Sequence, residues 1–312
     1  MVFTEVARQH EQALKRASSE VSLPVRFSIN LPNLGDFADP RLVGTLARLA
    51  EEAGWDGLFI WDQLIGYNRD LVADFGATNL LLTAAALATN RIRLGTQVTP
   101  VPRRRPRQLA REIATLDQAS GGRAILGVGL GNPVANEYAR FGEPTDPKVL
   151  AGMLDEGLEV ITLLWSGEPV TFHGRYFTVE DVIMRPPPVQ RPRVPIWVGG
   201  EWPNQGPARR AARWDGSILN AGNAWGQPPD VAVVAQMHTF FRARRAEIGH
   251  HAAPFDLMIG GSTAALGVKA RDILGPLADA GATWWDERFP IDRLDKSDLI
   301  RARIEEGPPR ID

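Results

Sequence analysis

"GRAILGVGLGN", residues 122–132, places glycine at every second position, 127, 129 and 131, across the end of an apolar, strand-like run. Alternate glycines have two readings. They form the phosphate-cradling loop of a dinucleotide-binding fold, or they mark a strand end that another backbone or a ligand approaches closely. The first reading fails on spacing. G-x-G-x-x-G needs its third glycine at 134, where the chain has Val134, and Pro133 sits in the middle. No acidic residue closes a compact strand–helix–strand unit about 20 residues on. The second reading depends on where this strand lies in the whole chain.

Outward from it, the pattern alternates. VRFSINL (25–31), GLFIWD (57–62) and IRLGTQVT (92–99) precede it as strands, and RAILGVGLG (123–131) is the fourth. Between them, PRLVGTLARLAEEAG (40–54), TNLLLTAAALAT (78–89) and RPRQLAREIATLDQAS (105–120) read as helices, the first with Leu42, Leu46, Leu49 and Ala53 on one face. GLFIWD is continuously apolar, as a strand buried on both faces is. A helix at 149–165 follows, then a small hairpin over 170–179 expected to turn at His173-Gly174, and a proline-rich connector at 186–195. Strands at 196–200, 216–222, 255–261 and 282–289 then alternate with helices at 205–214, 229–249, 266–281 and 296–306.

Strand-then-helix repeats imply parallel strands with right-handed crossovers. Eight of them predict an α/β fold, a closed (β/α)8 TIM barrel with an insertion between strands 4 and 5, roughly 132–195. A doubly wound open sheet is the alternative, because alternation does not show closure. No linker separates two cores, so residues 23–312 are expected to form one barrel domain, and residues 1–22 a polar, partly helical N-terminal arm.

Composition removes several classes. With 312 residues and a net charge of −2, the chain carries a full-sized core and no field that recruits nucleic acid or an anionic membrane. It has no cysteine, which excludes disulfides, thiolate metal sites and cysteine nucleophiles and suits a cytoplasmic location. The N-terminus is no signal peptide, and no run of about 18 apolar residues predicts a membrane span. The five histidines (10, 173, 238, 250, 251) form neither H-x-H nor H-E-x-x-H, so no metal is expected. G-x-S-x-G is absent, which argues against a serine hydrolase.

In a barrel the C-terminal strand ends form the working face. They present Asn30, Asp62 and Gln63, Thr96, Gln97 and Val98, Gly129, Gly131 and Asn132, Gly199, Gly200 and Glu201, Asn220, and Asp286 and Glu287. Amides, a few carboxylates and bare glycine backbone suit a planar, hydrogen-bonding cofactor better than a metal. At this end glycines 127, 129 and 131 either pack tightly or leave the mouth open. WVGGEW (197–202), a strand and two glycines leading into a helix, is a phosphate candidate, and GGST (260–263) a second anion candidate. RRRPR (103–107) reads as a solvated loop, or as a basic cluster beside the mouth that attracts an acidic cofactor tail. The insertion is expected to cover the mouth and set specificity, although most of its aromatic residues (Tyr138, Phe141, Trp165, Phe172, Tyr176, Phe177) read as packing.

The stretches GWDGLFIWDQL (54–64), LGTQVTPVPRRRPRQLAREIATLDQASGGRAILGVGLG (94–131), NEYARFG (136–142), LLWSGEPVTFHGRYF (163–177), PPPVQRPRVPIWVGG (186–200) and AARWDG (211–216), in this order, resemble the bacterial luciferase-like flavin- and F420-dependent oxidoreductases. The resemblance implies a (β/α)8 barrel that binds FMN or the deazaflavin F420 at its C-terminal face. It implies a non-proline cis peptide at Gln97-Val98 against the ring, Gly129 and Gly131 close to the ring, and Gly199, Gly200 and Glu201 at the cofactor phosphate. Asn30, Asp62, Thr96 and Asn132, read from the strand ends, are expected to bind the cofactor with them. Asp62, Gln63 and Glu137 fall at the positions of catalytic interest. Many relatives have histidine where this chain has Gln63. Glutamine exchanges hydrogen bonds but relays no proton, so proton transfer would need Asp62 or another loop.

The reading is an F420-dependent oxidoreductase that moves a hydride to or from the deazaflavin on a small organic substrate. The alternative is an FMN-dependent monooxygenase using reduced flavin and O2, with a flavin reductase as partner. A second alternative is a flavin-binding barrel without turnover, to which Gln63 points. A homodimer is what the resemblance implies for assembly.

Overall fold

Eight strands close into a ring among the residues that the computed structural model describes, 25–66, 73–131, 134–263, 270–289 and 296–309. The arm expected over 1–22 and Asn132 lie outside them. The strands are β1 (Arg26–Leu31), β2 (Gly57–Ile60), β3 (Arg93–Thr96), β4 (Ala124–Gly129), β5 (Ile196–Glu201), β6 (Gly216–Asn220), β7 (Asp256–Gly261) and β8 (Trp284–Glu287). Each pairs in parallel with its sequence neighbour, and β1 also pairs with β8, so that Ile29 lies opposite both Leu58 and Glu287. Closure decides for the barrel over the open sheet.

Eight longer helices occur among the described residues, α1 (Pro40–Glu52), α2 (Thr78–Ala88), α3 (Pro106–Ala119), α4 (Pro147–Leu164), α5 (Gln205–Ala211), α6 (Val231–Glu247), α7 (Ala270–Asp279) and α8 (Ser297–Glu305), besides a single helical turn at Val134–Glu137 after β4. Asp-Pro starts two of them. Asp39 accepts from the Arg41 N–H at 2.8 Å, and Asp146 from those of Lys148 and Val149 at 2.8 and 3.0 Å, while the proline occupies the first helical position, where its missing N–H costs nothing.

Two apolar layers result. The larger lies between strands and helices. The smaller fills the bore with Phe59, Ile125, Trp197, Ile218, Met258 and Trp284. Phe59 stacks on Trp197 at 5.5 Å, and Trp284 meets both edge-on at 6.1 and 5.4 Å. The three large rings fit because their neighbours are small. A Cβ on Gly95 would lie 2.5 Å from Phe59, and one on Gly216 would lie 2.5 Å from Trp197.

β3 is irregular at its end. Leu94 pairs with Ala124, but Thr99 pairs with Val128, so β3 takes five steps where β4 takes four. The extra residue makes a bulge, and the cis peptide Gln97-Val98 lies within it. Val98 packs onto the aromatic plug from the C-terminal side.

The insertion departs from expectation. Its hairpin strands, Val170–His173 and Thr178–Val182, are joined by a longer turn than His173-Gly174. The Glu156 carboxylate on α4 accepts from the N–H groups of Arg175, Tyr176 and Phe177 (2.9, 2.8 and 3.3 Å) and holds that turn open. The hairpin therefore lies along α4 rather than over the mouth. The connector runs to the opposite end of the barrel, where Asp117 accepts from the backbone of Val189 and Gln190, and the Gln190 amide donates to the Ala124 carbonyl at the start of β4. Trp165 is buried with its indole donating to Ala110. Among the described residues of the insertion, Asn136, Glu137 and Tyr138 bond the loops after β2 and β4 at the mouth.

Asp155 on α4 ties this layer to α5, accepting from Arg210 (2.8 and 2.9 Å) and Arg213 (2.6 Å). Burial pushes its carboxyl up, but the two guanidinium groups outweigh burial and hold it below the ordinary value. A folded-state pKa below the unfolded one adds stability above the unfolded pKa, and that stability is lost as pH falls through the folded one. Asp155→Asn is therefore expected to be less stable than wild type near neutrality, and the gap should close as pH falls below the ordinary Asp pKa of about 3.9. Urea denaturation of both proteins across that range measures it; a gap independent of pH would assign the loss to packing.

Candidate functional site

Above the aromatic plug sits a buried polar hub centred on Asp286 of β8, which is fully buried. Its Oδ1 accepts from the Ser28 hydroxyl at 3.0 Å. Its Oδ2 accepts from Asn30 Nδ2 (3.1 Å), Gln97 Nε2 (3.0 Å) and Arg288 Nε (3.1 Å). Burial pushes this carboxyl up, with Arg288, Ser28 and Gln97 pulling the other way. Asn30 Oδ1 in turn accepts from the Trp61 indole N–H. Trp61 meets Trp225 edge-to-face at 5.3 Å, and the Arg288 guanidinium lies 5.1 Å from the Trp225 ring centre. Strands β1, β3 and β8 thus converge on one carboxylate, with an aromatic wall beside it.

A second cluster joins the loops after β2, β3 and β4. Both Asp62 oxygens accept from Arg104 (2.7 and 2.6 Å), and Arg103 adds bonds to Asp62 Oδ1 (3.1 Å) and to its carbonyl (2.8 Å). The other Arg103 nitrogen pairs with Glu137. Glu137 also accepts from the Leu64 N–H at 2.9 Å. These side chains are largely buried, and burial pulls the Arg103 guanidinium down while Asp62 opposes it.

This corrects the reading of RRRPR. Arg103 and Arg104 are neither solvated nor free for an acidic tail, because two carboxylates already hold them; Arg105 and Arg107 remain exposed. GGST is corrected as well. The Ser262 N–H donates to Gly226, and the Thr263 N–H and hydroxyl to the buried Glu287, so neither amide is left for an anion.

The glycine question is also decided by packing. A Cβ on Gly127 would sit 1.9 Å from the Thr96 carbonyl oxygen, one on Gly129 2.7 Å from Val98 Cγ2, and one on Gly199 2.8 Å from Val98 Cγ1. Gly131 has φ +81°, with Pro100 2.9 Å from its missing Cβ, and Gly200 backs onto Pro207 at 2.6 Å. The β3 bulge occupies the space that the glycines vacate, so the mouth is not opened by them. They let Val98 lie flat between β4 and β5.

The other predicted residues fall as follows. Asn30 and Gln97 meet through Asp286, and Asp62 and Glu137 through Arg103. Thr96 turns away from the mouth and donates to the Gly127 carbonyl at 2.7 Å. Glu201 is exposed and, among the described residues, forms no ion pair. Gln63 is buried. Its backbone is fixed by Asn33 (2.8 and 3.2 Å), yet its carboxamide has no partner among the described residues. Gln97 Oε1, Asn220 Oδ1 and Thr99 Oγ1 are likewise buried and unpartnered. Unpaired buried polar atoms are costly, and a set of amides and a hydroxyl at the strand ends fits a ring edged with donors and acceptors. Among the described residues no three His, Asp or Glu side chains cluster to hold a metal ion, and no helix is long and apolar enough to cross a membrane.

Asp286 as a hub, Arg288 and Trp225 were not picked out as site residues from sequence. "WWDER" (284–288) held a signal: Asp286 and Arg288 share one strand face in an otherwise apolar run, which requires a buried pair. Trp225 lies in a loop and had none.

A family model described as luciferase-like monooxygenase matches residues 17–270. An F420-dependent glucose-6-phosphate dehydrogenase of Beutenbergia cavernae is 37% identical over 188 residues, 59% of this chain and 53% of that protein. The chain spans about half the length of the curated relatives of that name that it matches. The F420-dependent tetrahydromethanopterin reductase of Methanopyrus kandleri superposes with a TM-score of 0.68 at 20% identity, over 91% of this chain and 98% of that one. The monooxygenase RslO1 of Streptomyces bottropensis does so with 0.68 at 20%, over 90% and 98%. At such identities the likeness of these two is one of fold.

Proposed function

Since the chain belongs to the luciferase-like monooxygenase family, we propose that it is an F420-dependent oxidoreductase acting on a small organic substrate at the C-terminal mouth of its barrel. The observation that carries the choice of cofactor is the identity of about a third, over more than half of this chain, to proteins named F420-dependent. The unpartnered carboxamide of Gln63 and the unpartnered oxygens of Gln97 and Asn220 support a ring-binding mouth.

When bound, the deazaflavin supplies two-electron hydride chemistry. The protein's part is to hold and orient. Val98, wedged over Gly129 and Gly199, offers a flat apolar seat for the ring. Gln63 and Asn220 provide hydrogen bonds, and Trp61 and Trp225 wall off water. Gly199, Gly200 and Glu201 lie at the rim, where a phosphate-bearing tail would leave. Asp62 and Glu137, both held by Arg103, act as positioning residues that fix the loop carrying Gln63. Tyr138, whose phenol burial pushes up, donates to the Leu130 carbonyl at 2.5 Å and braces the same loops.

The test is titration of the purified protein with F420 and FMN side by side, read by quenching of tryptophan fluorescence. F420 is expected to quench at micromolar concentration with FMN weaker. Trp225→Phe should reduce the amplitude without abolishing binding. Preference for FMN would turn the reading to a monooxygenase with a reductase partner, and binding of neither would overturn both.

A further inference from the structure

We infer that Asp286 fixes the polarity of the mouth, making Gln97 a dedicated hydrogen-bond acceptor that recognises the imide N–H of the bound ring. The inference rests on the ring-binding function proposed above.

Asp286 Oδ2 accepts from three donors, Asn30 Nδ2, Gln97 Nε2 and Arg288 Nε. An oxygen surrounded by three N–H groups carries no proton; a proton on this carboxyl would sit on Oδ1, beside the Ser28 hydroxyl. Gln97 must therefore turn its NH2 toward Asp286, and its Oε1 necessarily faces the other way. The same logic sets Asn30, whose NH2 goes to Asp286 and whose oxygen accepts from Trp61. Asn30 is thereby satisfied on both edges, and Gln97 is not. Its Oε1 is buried without a partner.

Gln97 belongs to the bulge of β3, beside Val98. In the ring, β2 and β1 lie between β3 and β8, so Gln97 reaches across the mouth to Asp286. An acceptor fixed there selects a ligand that brings a donor. The pyrimidine edge of a flavin or deazaflavin carries one such donor, the imide N–H, between two carbonyl acceptors. A carbonyl placed at that point would meet an acceptor it cannot bond, which discriminates against it. Asp286 is a positioning residue in this scheme and touches no ligand.

The experiment measures affinity for FMN, for F420, and for whichever ring binds after methylation of its imide nitrogen. Wild type is expected to bind the parent ring about 5–50-fold more tightly than its methylated form. In Gln97→Met that preference should vanish, with the parent ring weakened and the methylated one not. In Asp286→Asn the side chain can offer its own NH2, which frees Gln97 to turn over. The preference should then fall to within about twofold, whereas a merely structural Asp286 would lower the melting temperature and leave the preference intact. Should Asp286→Asn fail to fold, Gln97→Met decides alone. Equal binding of parent and methylated ring by wild type, or a preference that survives in Gln97→Met, overturns the acceptor and leaves the proposed function standing. Binding of neither parent ring by wild type overturns both.

Discussion

Arg103→Ala is expected to destabilise the protein by about 3–5 kcal/mol, the range for removing one partner of a buried ion pair. The guanidinium bridges Asp62 and Glu137, whose side chains are only 4% and 2% exposed, and its own is 10% exposed. An ion pair at the surface would be worth about 1 kcal/mol or less, because water replaces the partner. Here little water reaches either carboxylate. The cost is thus chiefly that of the Glu137 charge left stranded rather than of lost attraction, since Arg104 still holds both Asp62 oxygens. A double variant, Arg103→Ala with Glu137→Gln, should therefore recover much of the loss, although it restores no ion pair. Chemical denaturation of the three proteins measures this. A single variant within about 1 kcal/mol of wild type would mean that the cluster is hydrated and the argument from burial wrong.

The second large effect is expected at Gly127. Its missing Cβ would lie 1.9 Å from the Thr96 carbonyl oxygen and 3.0 Å from Ile218. A side chain can turn aside; a backbone carbonyl at a strand end cannot without moving the strand. Gly127→Ala should cost at least the upper end of the roughly 1–3 kcal/mol typical of overpacking. Because Thr96 precedes the bulge that carries Gln97 and Val98, the same variant should weaken ring binding. Gly44, inside α1, is the control, because its missing Cβ would meet nothing nearer than the Ala84 carbonyl oxygen at 3.4 Å. Gly44→Ala should lie within about 1 kcal/mol of wild type, since an ordinary contact is offset by the backbone freedom that alanine does not lose on folding. Equal effects at the two positions would remove close approach as the reason for the glycine strand.

The amino-acid sequence by itself determined the alternation of parallel strands and helices, while closure of the ring was seen only in the structure. Eight apolar runs of strand length, each followed by a helical period, leave few ways to bury both kinds of face, and the barrel is one of them. It also determined which residues stand at the strand ends, because chain direction settles that once strands are parallel. The alternate glycines were legible for the same local reason, whereas the irregular end of β3 was expected only from the family resemblance. Tertiary structure decided what those residues do. Arg103 and Arg104 look like a solvated basic run until closure sets Asp62 and Glu137 against them. GGST looks like an anion loop until Glu287 takes its amide. Asp286 is separated by 258, 256 and 189 residues from Ser28, Asn30 and Gln97. Local patterning carries no record of such partners. Only closure of β8 against β1 brings them together, and in a buried mouth the identity of the partner, rather than the residue type, determines whether a polar group is spent on the fold or left for a ligand.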